Sequence, residues 1–191
     1  MSNRTPKPEL NQSDHPILYN FFHSNLRSAF KDLNLSNSAV LNYIALILTR
    51  FARTENLYRI KQIPDFKLES VVETLLDVEV SLQSDTPLSE NEEALIRKHV
   101  GDFTLFMSGI FREYLVRLGF LDYYLLEGSR SFLRVYNYAY NAYGNEAEVY
   151  NILSRQFELY SGALDYLKKV YFYYPDIDES IKRLLRGLVS W

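Results

Sequence analysis

The sequence contains no cysteine, so a disulfide framework, a thiolate nucleophile and a thiolate metal site are all excluded. It also lacks an excess of one charge. Residues 1–100 carry 11 Lys and Arg against 13 Asp and Glu, and residues 101–191 carry 10 against 11. Non-specific binding to nucleic acid needs a basic field that neither half provides, and we therefore expect no nucleic-acid partner.

Long apolar runs are missing as well. The longest, residues 40–48, is interrupted by Asn42 and is shorter than the roughly 20 residues that cross a bilayer. The first residues, MSNRTPKPELNQSD, lack the apolar core of a secretory signal. These features predict a cytoplasmic protein with no membrane partner.

Motifs that bind metals or nucleotides, or that hold a catalytic nucleophile, are absent too. His15, His23 and His99 are the only imidazoles, and none has a glutamate three residues before it, as di-iron bundle sites require. The chain contains no His-Glu-x-x-His, glycine-rich phosphate loop, Gly-x-Ser-x-Gly elbow or EF-hand loop. We predict no metal and no cofactor, and no residue stands out as catalytic.

What the sequence does contain is apolar spacing typical of helices. Phe22, Leu26 and Phe30 recur every four residues, and similar three-four patterns follow along the chain without sustained strand alternation. The predicted fold class is all-α: a helical bundle or helix-hairpin array of about seven to eight helices. Residues 1–13 are polar and predict an N-terminal arm, and residues 14–191 predict a single helical domain.

Caps and glycines indicate where one central helix begins and ends. It opens at Ser89, where Glu92 completes a capping box, and it ends before Gly119. Gly101 and Gly109 lie inside it, and each costs about 1 kcal/mol relative to alanine. We therefore expect a kink, a break near the second glycine or a close helix crossing.

The second half of the chain predicts a long helical hairpin. Its first helix ends near Tyr143, and Gly144 begins the turn. Its second helix is expected to run from Tyr150 to Tyr174 as one unbroken three-four seam before Pro175. We expect this seam to pack on the preceding helix of the same chain, and a coiled-coil dimer is the alternative.

Tyrosine is the compositional anomaly, since 13 of the 16 tyrosines lie between residues 114 and 174. The ring is apolar but the hydroxyl needs a partner, so tyrosines collect where a core meets water, a ligand or another protein. A wide core whose hydroxyls reach the surface is the simplest explanation, and a protein-binding face or a small-molecule pocket are the alternatives. The candidate interaction surface consists of Tyr136, Tyr140, Tyr143, Tyr171 and Tyr174.

Polar residues inside apolar seams are the other candidates for a site. Glu55 shares the register of Phe51, and His99 lies between apolar positions of its own helix, so burying either without a partner would be costly. We expect Glu55 and His99 to be paired with each other or with Arg50, Arg53, Asp102 or Arg130. If Glu55 and His99 meet in the core, the pKa of the histidine is raised and that of the glutamate is lowered. Arg53, Glu55, His99 and Asp102 together form a candidate polar cluster, which is either a structural latch or part of a pocket.

Two segments carry a family resemblance: FARTENLYR at residues 51–59 and KHVGDFTLFMSG at residues 98–109. Over residues 38–170 the chain resembles an uncharacterised family of bacterial all-helical proteins. The resemblance implies a soluble, helical, bacterial protein and transfers no catalytic residue. Residues 163–175 also resemble half of a tetratricopeptide unit, although no repeat of about 34 residues accompanies them. The residues that match this half-unit are Ala163, Leu167, Val170 and Pro175.

These features favour a non-enzymatic helical interaction module that binds a protein partner or a second copy of itself. The alternative is a small-molecule-binding protein or enzyme. Its pocket would lie between the helix that carries Arg53 and Glu55 and the helix that carries His99 and Asp102, where the histidine and the glutamate could exchange a proton.

Overall fold

The computed structural model describes residues 16–52 and 89–172, and within these ranges the chain forms seven α-helices and no strand. The all-α prediction is confirmed. A short 3-10 turn, Gly144–Ala147, precedes the sixth helix. The helices are α1 (Pro16–Asp32), α2 (Ser38–Ala52), α3 (Glu90–Ile110), α4 (Arg112–Leu118), α5 (Leu121–Tyr143), α6 (Glu148–Arg155) and α7 (Phe157–Tyr171).

The described helices share one hydrophobic core. The predicted N-terminal arm, residues 1–13, lies outside the described residues, and the single domain over residues 14–191 stays a prediction. None of the described helices combines the length and the apolar character that crossing a bilayer requires.

A helical hairpin of α1 and α2 begins the bundle. Asn34 adopts a left-handed conformation, with φ of 56°, in the short connection between the two helices. The side chain of Asn37 accepts a hydrogen bond from the amide of Val40 at 3.0 Å and so caps α2. Nε2 of His23 in α1 lies 3.0 Å from Oδ1 of Asn42 in α2, and this hydrogen bond connects the two helices.

The start of α3 and the end of α4 also follow the sequence signals. Ser89 and Glu92 form both hydrogen bonds of the capping box. The helix is interrupted at Phe111, two residues after Gly109, and Gly119 ends α4 in the left-handed conformation. The predicted break near the second glycine is therefore confirmed.

Close helix crossings give a packing reason for the glycines of α3. A Cβ added to Gly109 would overlap Leu164 of α7, and a Cβ added to Gly101 would lie 2.8 Å from the ring of Phe132 in α5. The missing side chains let α3 approach two other helices closely, and this gain in packing offsets the poor helix propensity of glycine.

The centre of the core is formed by α3 and α5, which pack antiparallel. Glu93 contacts Tyr138 at one end of this pair, and Phe103 contacts Tyr124 at the other. α1 packs on α2 and on α7, and α6 packs on α5. The largest fully buried side chains are mostly aromatic: Tyr43, Tyr124, Tyr150, Phe22, Phe30, Phe106, Phe111 and Phe132.

The second helix of the predicted hairpin is not continuous. The chain leaves helical geometry at Gln156, with φ of −122°, so the predicted run from Tyr150 to Tyr174 is divided into α6 and α7, and its last residue lies outside the described ranges. α6 packs on α5, whereas α7 packs mainly on α3. Leu153 and Leu164 are both fully buried. The seam thus packs within its own chain, as predicted, but on two helices instead of one.

Candidate functional site

Asp102 of α3 is completely buried, and its carboxylate joins α3 to α2. Oδ1 accepts a hydrogen bond from the Tyr43 hydroxyl at 2.6 Å. Oδ2 lies 2.7 Å from Nη2 of Arg50 and 3.1 Å from Nζ of Lys98. Both carboxylate oxygens therefore have donors, as a buried charge requires.

The pKa of Asp102 reflects two opposing effects. Burial alone would raise it, but the charges of Lys98 and Arg50, together with hydrogen bonds from Arg50 and Tyr43, hold this pKa below its ordinary value. The phenol shifts in the opposite direction, because burial and then the Asp102 charge raise the pKa of Tyr43 well above its usual range. At neutral pH Asp102 is thus ionised, and Tyr43 is a neutral donor.

His99 is partly exposed to solvent, so the prediction that it is buried in the core is wrong. α3 faces α2 through Lys98 and Asp102, which lie one turn apart, and this register turns His99 outward. Its ring centroid lies 6.2 Å from that of Phe51. Partial burial lowers the pKa of His99, and the opposing effect of the Asp102 charge is weaker. A histidine held by a carboxylate would show the reverse shift.

The other two members of the predicted cluster, Arg53 and Glu55, lie outside the described residues. The pairing of Glu55 with His99 therefore stays a prediction, as does the convergence of the four side chains.

Tyr43 and Lys98 belong to the observed cluster, although sequence analysis did not select them. Lys98 had a signal, since a basic residue four positions before Asp102 lies on the same side of a helix. Tyr43 had none, because it is 59 residues away from Asp102 in the chain. In the core its ring also packs edge-on against Tyr150, with the ring centroids 5.5 Å apart.

The geometry of this cluster suits a structural link better than a catalytic base. The acceptor atoms of Asp102 are occupied by side chains of the same chain, and the depressed pKa makes the carboxylate a weak base. In residues 16–52 and 89–172 no three His, Asp or Glu side chains are grouped closely enough to hold a metal ion.

A second buried polar link joins α3 to α5. Glu93 accepts a hydrogen bond from the Tyr138 hydroxyl at 2.6 Å, and its other oxygen lies 3.4 Å from Nε of Arg97. Burial, followed by this hydrogen bond, raises the pKa of Tyr138 to about 12. The polar groups of α3 thus connect it to helices on two sides.

The tyrosines of the candidate interaction surface separate into two groups, of which the first lies on α5. The rings of Tyr136 and Tyr140 are one turn apart, with centroids 5.4 Å from each other. Tyr140 is 50% exposed, and Tyr136 is half-buried. The side chains of Tyr143 and Tyr174 lie outside the described parts of the chain.

The second group lies on α7 and connects that helix to α1. Tyr171 donates a hydrogen bond to the Asp32 carboxylate at 2.6 Å, and Tyr166 donates one to the same oxygen at 3.1 Å. The hydroxyl of Tyr171 therefore already has a partner within the chain. Among the candidate residues whose side chains are described, Tyr136 and Tyr140 are better placed to meet another molecule.

The outward side of α5 also exposes two leucines that sequence analysis did not select. Leu126 is 48% exposed and Leu133 is 46% exposed, and they precede Tyr140 at intervals of seven residues. Because seven residues make almost two helical turns, the three side chains form a line along the helix. We call Leu126, Leu133, Tyr136 and Tyr140 the α5 outer face.

Comparison with known proteins adds no functional assignment, because no protein-family model, curated protein or solved structure matches the chain. The resemblances to a bacterial helical family and to half of a tetratricopeptide unit stay predictions. Function must therefore be inferred from the residues themselves.

Proposed function

We propose that this protein is a non-enzymatic helical interaction module that binds a protein partner through the α5 outer face. The observation that carries the proposal is the line of Leu126, Leu133 and Tyr140, each about half exposed on one helix. Single exposed apolar side chains are ordinary on protein surfaces. These three are instead aligned on one side of α5, and the half-buried Tyr136 lies between Leu133 and Tyr140. Such strips bind amphipathic helices, and tyrosine is enriched at interfaces of this kind.

The other strongly exposed apolar side chains support this choice of face, because they are not aligned in this way. Ile17 lies on α1, Leu95 on α3, Val116 and Leu118 on α4, and Leu159 and Val170 on α7, where the last two share one side but are eleven residues apart. Only α5, among the helices that the structure describes, carries three large exposed apolar side chains at heptad spacing.

A comparative native pull-down with mass spectrometry tests the proposal. Leu133→Glu places a charge in the middle of the α5 outer face, and Leu159→Glu is a matched control, because Leu159 is 48% exposed on a different helix. We expect a partner protein that the wild type and Leu159→Glu retain equally and that Leu133→Glu retains at least tenfold less, since a buried unpaired charge opposes association. Identical sets of retained proteins for all three chains would refute the proposal.

The alternative function, a small molecule bound near Arg53, Glu55, His99 and Asp102, stays a prediction. Two of these residues lie outside the described ranges. One observation argues against it: both oxygens of Asp102 accept hydrogen bonds within the chain.

A further inference from the structure

The α5 outer face has the geometry of a surface that binds another helix. Leu126 and Tyr140 are 14 residues apart, which is about 21 Å along a helix. Residues at heptad spacing drift by only about 20° per heptad, so the line is nearly straight. The gaps between the exposed side chains of the face repeat every seven residues. This is also the repeat at which a second helix inserts its own apolar side chains in a coiled coil.

The size of the face favours a small partner. A strip about 21 Å long and as wide as one helix, about 10 Å, covers on the order of 200 Å² in projection. Each partner in a standard protein–protein interface buries roughly 800 Å². A single helix of about four turns matches this strip better than the broad surface of a globular protein.

Two exposed arginines border the strip on one side. At 100° per residue, Arg130 and Arg134 lie about 60° and 100° around the helix from Leu133. Nη1 of Arg130 lies 2.9 Å from Oε1 of Glu127. The side chain of Arg130 is nevertheless 63% exposed, whereas that of Glu127 is only 12% exposed. Arg134 is also exposed, and its charge partly opposes the rise in the pKa of Tyr138. A helix lying on the strip therefore meets positive charge along one edge.

A second copy of this chain fits the strip less well. In an antiparallel two-fold pair, the arginine edge of one α5 faces the arginine edge of the other, and Arg130 and Arg134 of both copies come together. In a parallel pair, the exposed Asp122, which lies on the same line as Leu126, meets its own copy. Each arrangement brings like charges together, which disfavours association.

We infer that the α5 outer face binds an amphipathic helix from another protein, with apolar residues at three-four spacing and Asp or Glu along the edge that meets Arg130 and Arg134. This inference rests on the proposed function and specifies the chemistry of the partner. Charged groups along the edge of an apolar contact set specificity and orientation more than they set affinity.

Binding of two designed peptides to the full chain tests the inference. Both peptides are 21-residue helices with the same leucine stripe, and the residues beside the stripe are glutamate in the acidic peptide and lysine in the basic one. We expect fluorescence anisotropy at low salt to show at least tenfold tighter binding of the acidic peptide, with a smaller difference at high salt because salt screens exposed charges. The double variant Arg130→Glu/Arg134→Glu should reverse this preference.

Three results would overturn the inference. The first is equal affinity for the two peptides, or no binding of either. The second is an unchanged preference in the arginine double variant. The third is a wild-type chain that light scattering shows to dimerise and that Leu133→Glu makes monomeric, because the face would then bind a second copy.

None of these results refutes the proposed function if the pull-down still finds a protein partner that depends on Leu133. A tightly bound acidic peptide that is unaffected by Leu133→Glu would instead count against the α5 outer face itself, whereas Leu159→Glu should not change binding.

Discussion

At the scale of single residues, Asp102 stays ionised in the core because three donors from two helices surround it. Lys98 reaches the carboxylate along α3, whereas Tyr43 and Arg50 reach it from α2. A buried ion pair adds little net stability relative to apolar residues of the same volume, but removing one partner leaves the other charge uncompensated. Removing one member of the cluster is therefore expected to lower the free energy of unfolding strongly, although the intact cluster adds little net stability.

Asp102→Asn should lower the free energy of unfolding by about 3 kcal/mol, because a neutral amide no longer compensates the charges of Lys98 and Arg50. Urea denaturation followed by circular dichroism measures the change. Asp165→Asn is the control, since Asp165 pairs with Lys169, whose side chain is 52% exposed, and such surface pairs contribute less than about 1 kcal/mol. Similar losses in the two variants would show that the buried cluster is not special.

The sequence predicts only some of the residues in and around the buried Asp102 cluster. Asp102 was predicted as a candidate, but the inward orientation of His99 was wrong, because α3 is buried around most of its circumference and apolar spacing does not define one inward side. The contact between Tyr43 and Asp102 spans 59 residues of the chain, and no local pattern predicts it. Partners brought together by tertiary packing are beyond what spacing can show.

At the scale of helices, the sequence predicts where a helix begins or ends better than it predicts where a helix is interrupted. The capping box at Ser89 and the left-handed Gly119 are local features, and both helix ends fall where they were expected. The interruption at Gln156 was not predicted, because the apolar spacing continues through it and both fragments bury the same seam. The choice of α3 as the main packing partner of α7 depends on this interruption.

Gly128 of α5 provides a test of close helix crossing. A Cβ at this position would overlap the ring of Phe157 and lie 2.6 Å from the Thr104 hydroxyl. Alanine favours a helix over glycine by about 1 kcal/mol, but overpacking a core costs typically 1–3 kcal/mol or more. We expect Gly128→Ala to lower the free energy of unfolding by about 2 kcal/mol in urea denaturation.

Gly162→Ala in α7 is the matched control for that experiment. No atom lies within 4 Å of a Cβ built there, so only the helix propensity of the residue changes. The substitution should raise the free energy of unfolding by about 1 kcal/mol. If both alanine variants are stabilised, the two helices separate without cost, and the close crossing at Gly128 does not contribute to stability.

At the scale of the whole molecule, polar links connect the helices pairwise. Asp32 joins α1 to α7, Asp102 joins α3 to α2, and Glu93 joins α3 to α5. Several tyrosines that raised the compositional question are core residues, as the simplest explanation expects, but Tyr124 and Tyr150 are buried completely and do not reach the surface as that explanation also expects.

The ionisable groups with shifted pKa values determine how stability should change with pH. The pKa of Asp102 is depressed in the folded state, so its contribution is fully present above its unfolded pKa of about 3.9 and is lost as the pH falls through the folded value. The pKa of His99 is also lowered, since partial burial favours the neutral imidazole, and its contribution is lost as the pH falls below about 6.5. Tyr138 has the opposite sign, because its pKa is raised to about 12 and its contribution is lost only above about pH 10.

The free energy of unfolding should therefore rise from pH 3 to about pH 7 and then stay level to about pH 10, because the acid-side contributions of Asp102 and His99 act in the same direction. Urea denaturation at intervals of one pH unit measures this profile. Asp102→Asn should flatten the change in the free energy of unfolding below pH 4, and His99→Gln should flatten the change near pH 6. Neither variant should alter the change that the other one flattens. A pair between Glu55 and His99 would instead raise the histidine pKa and place the maximum in mildly acidic solution. A maximum near pH 5 that His99→Gln abolishes would therefore show that His99 has a carboxylate partner in the native protein.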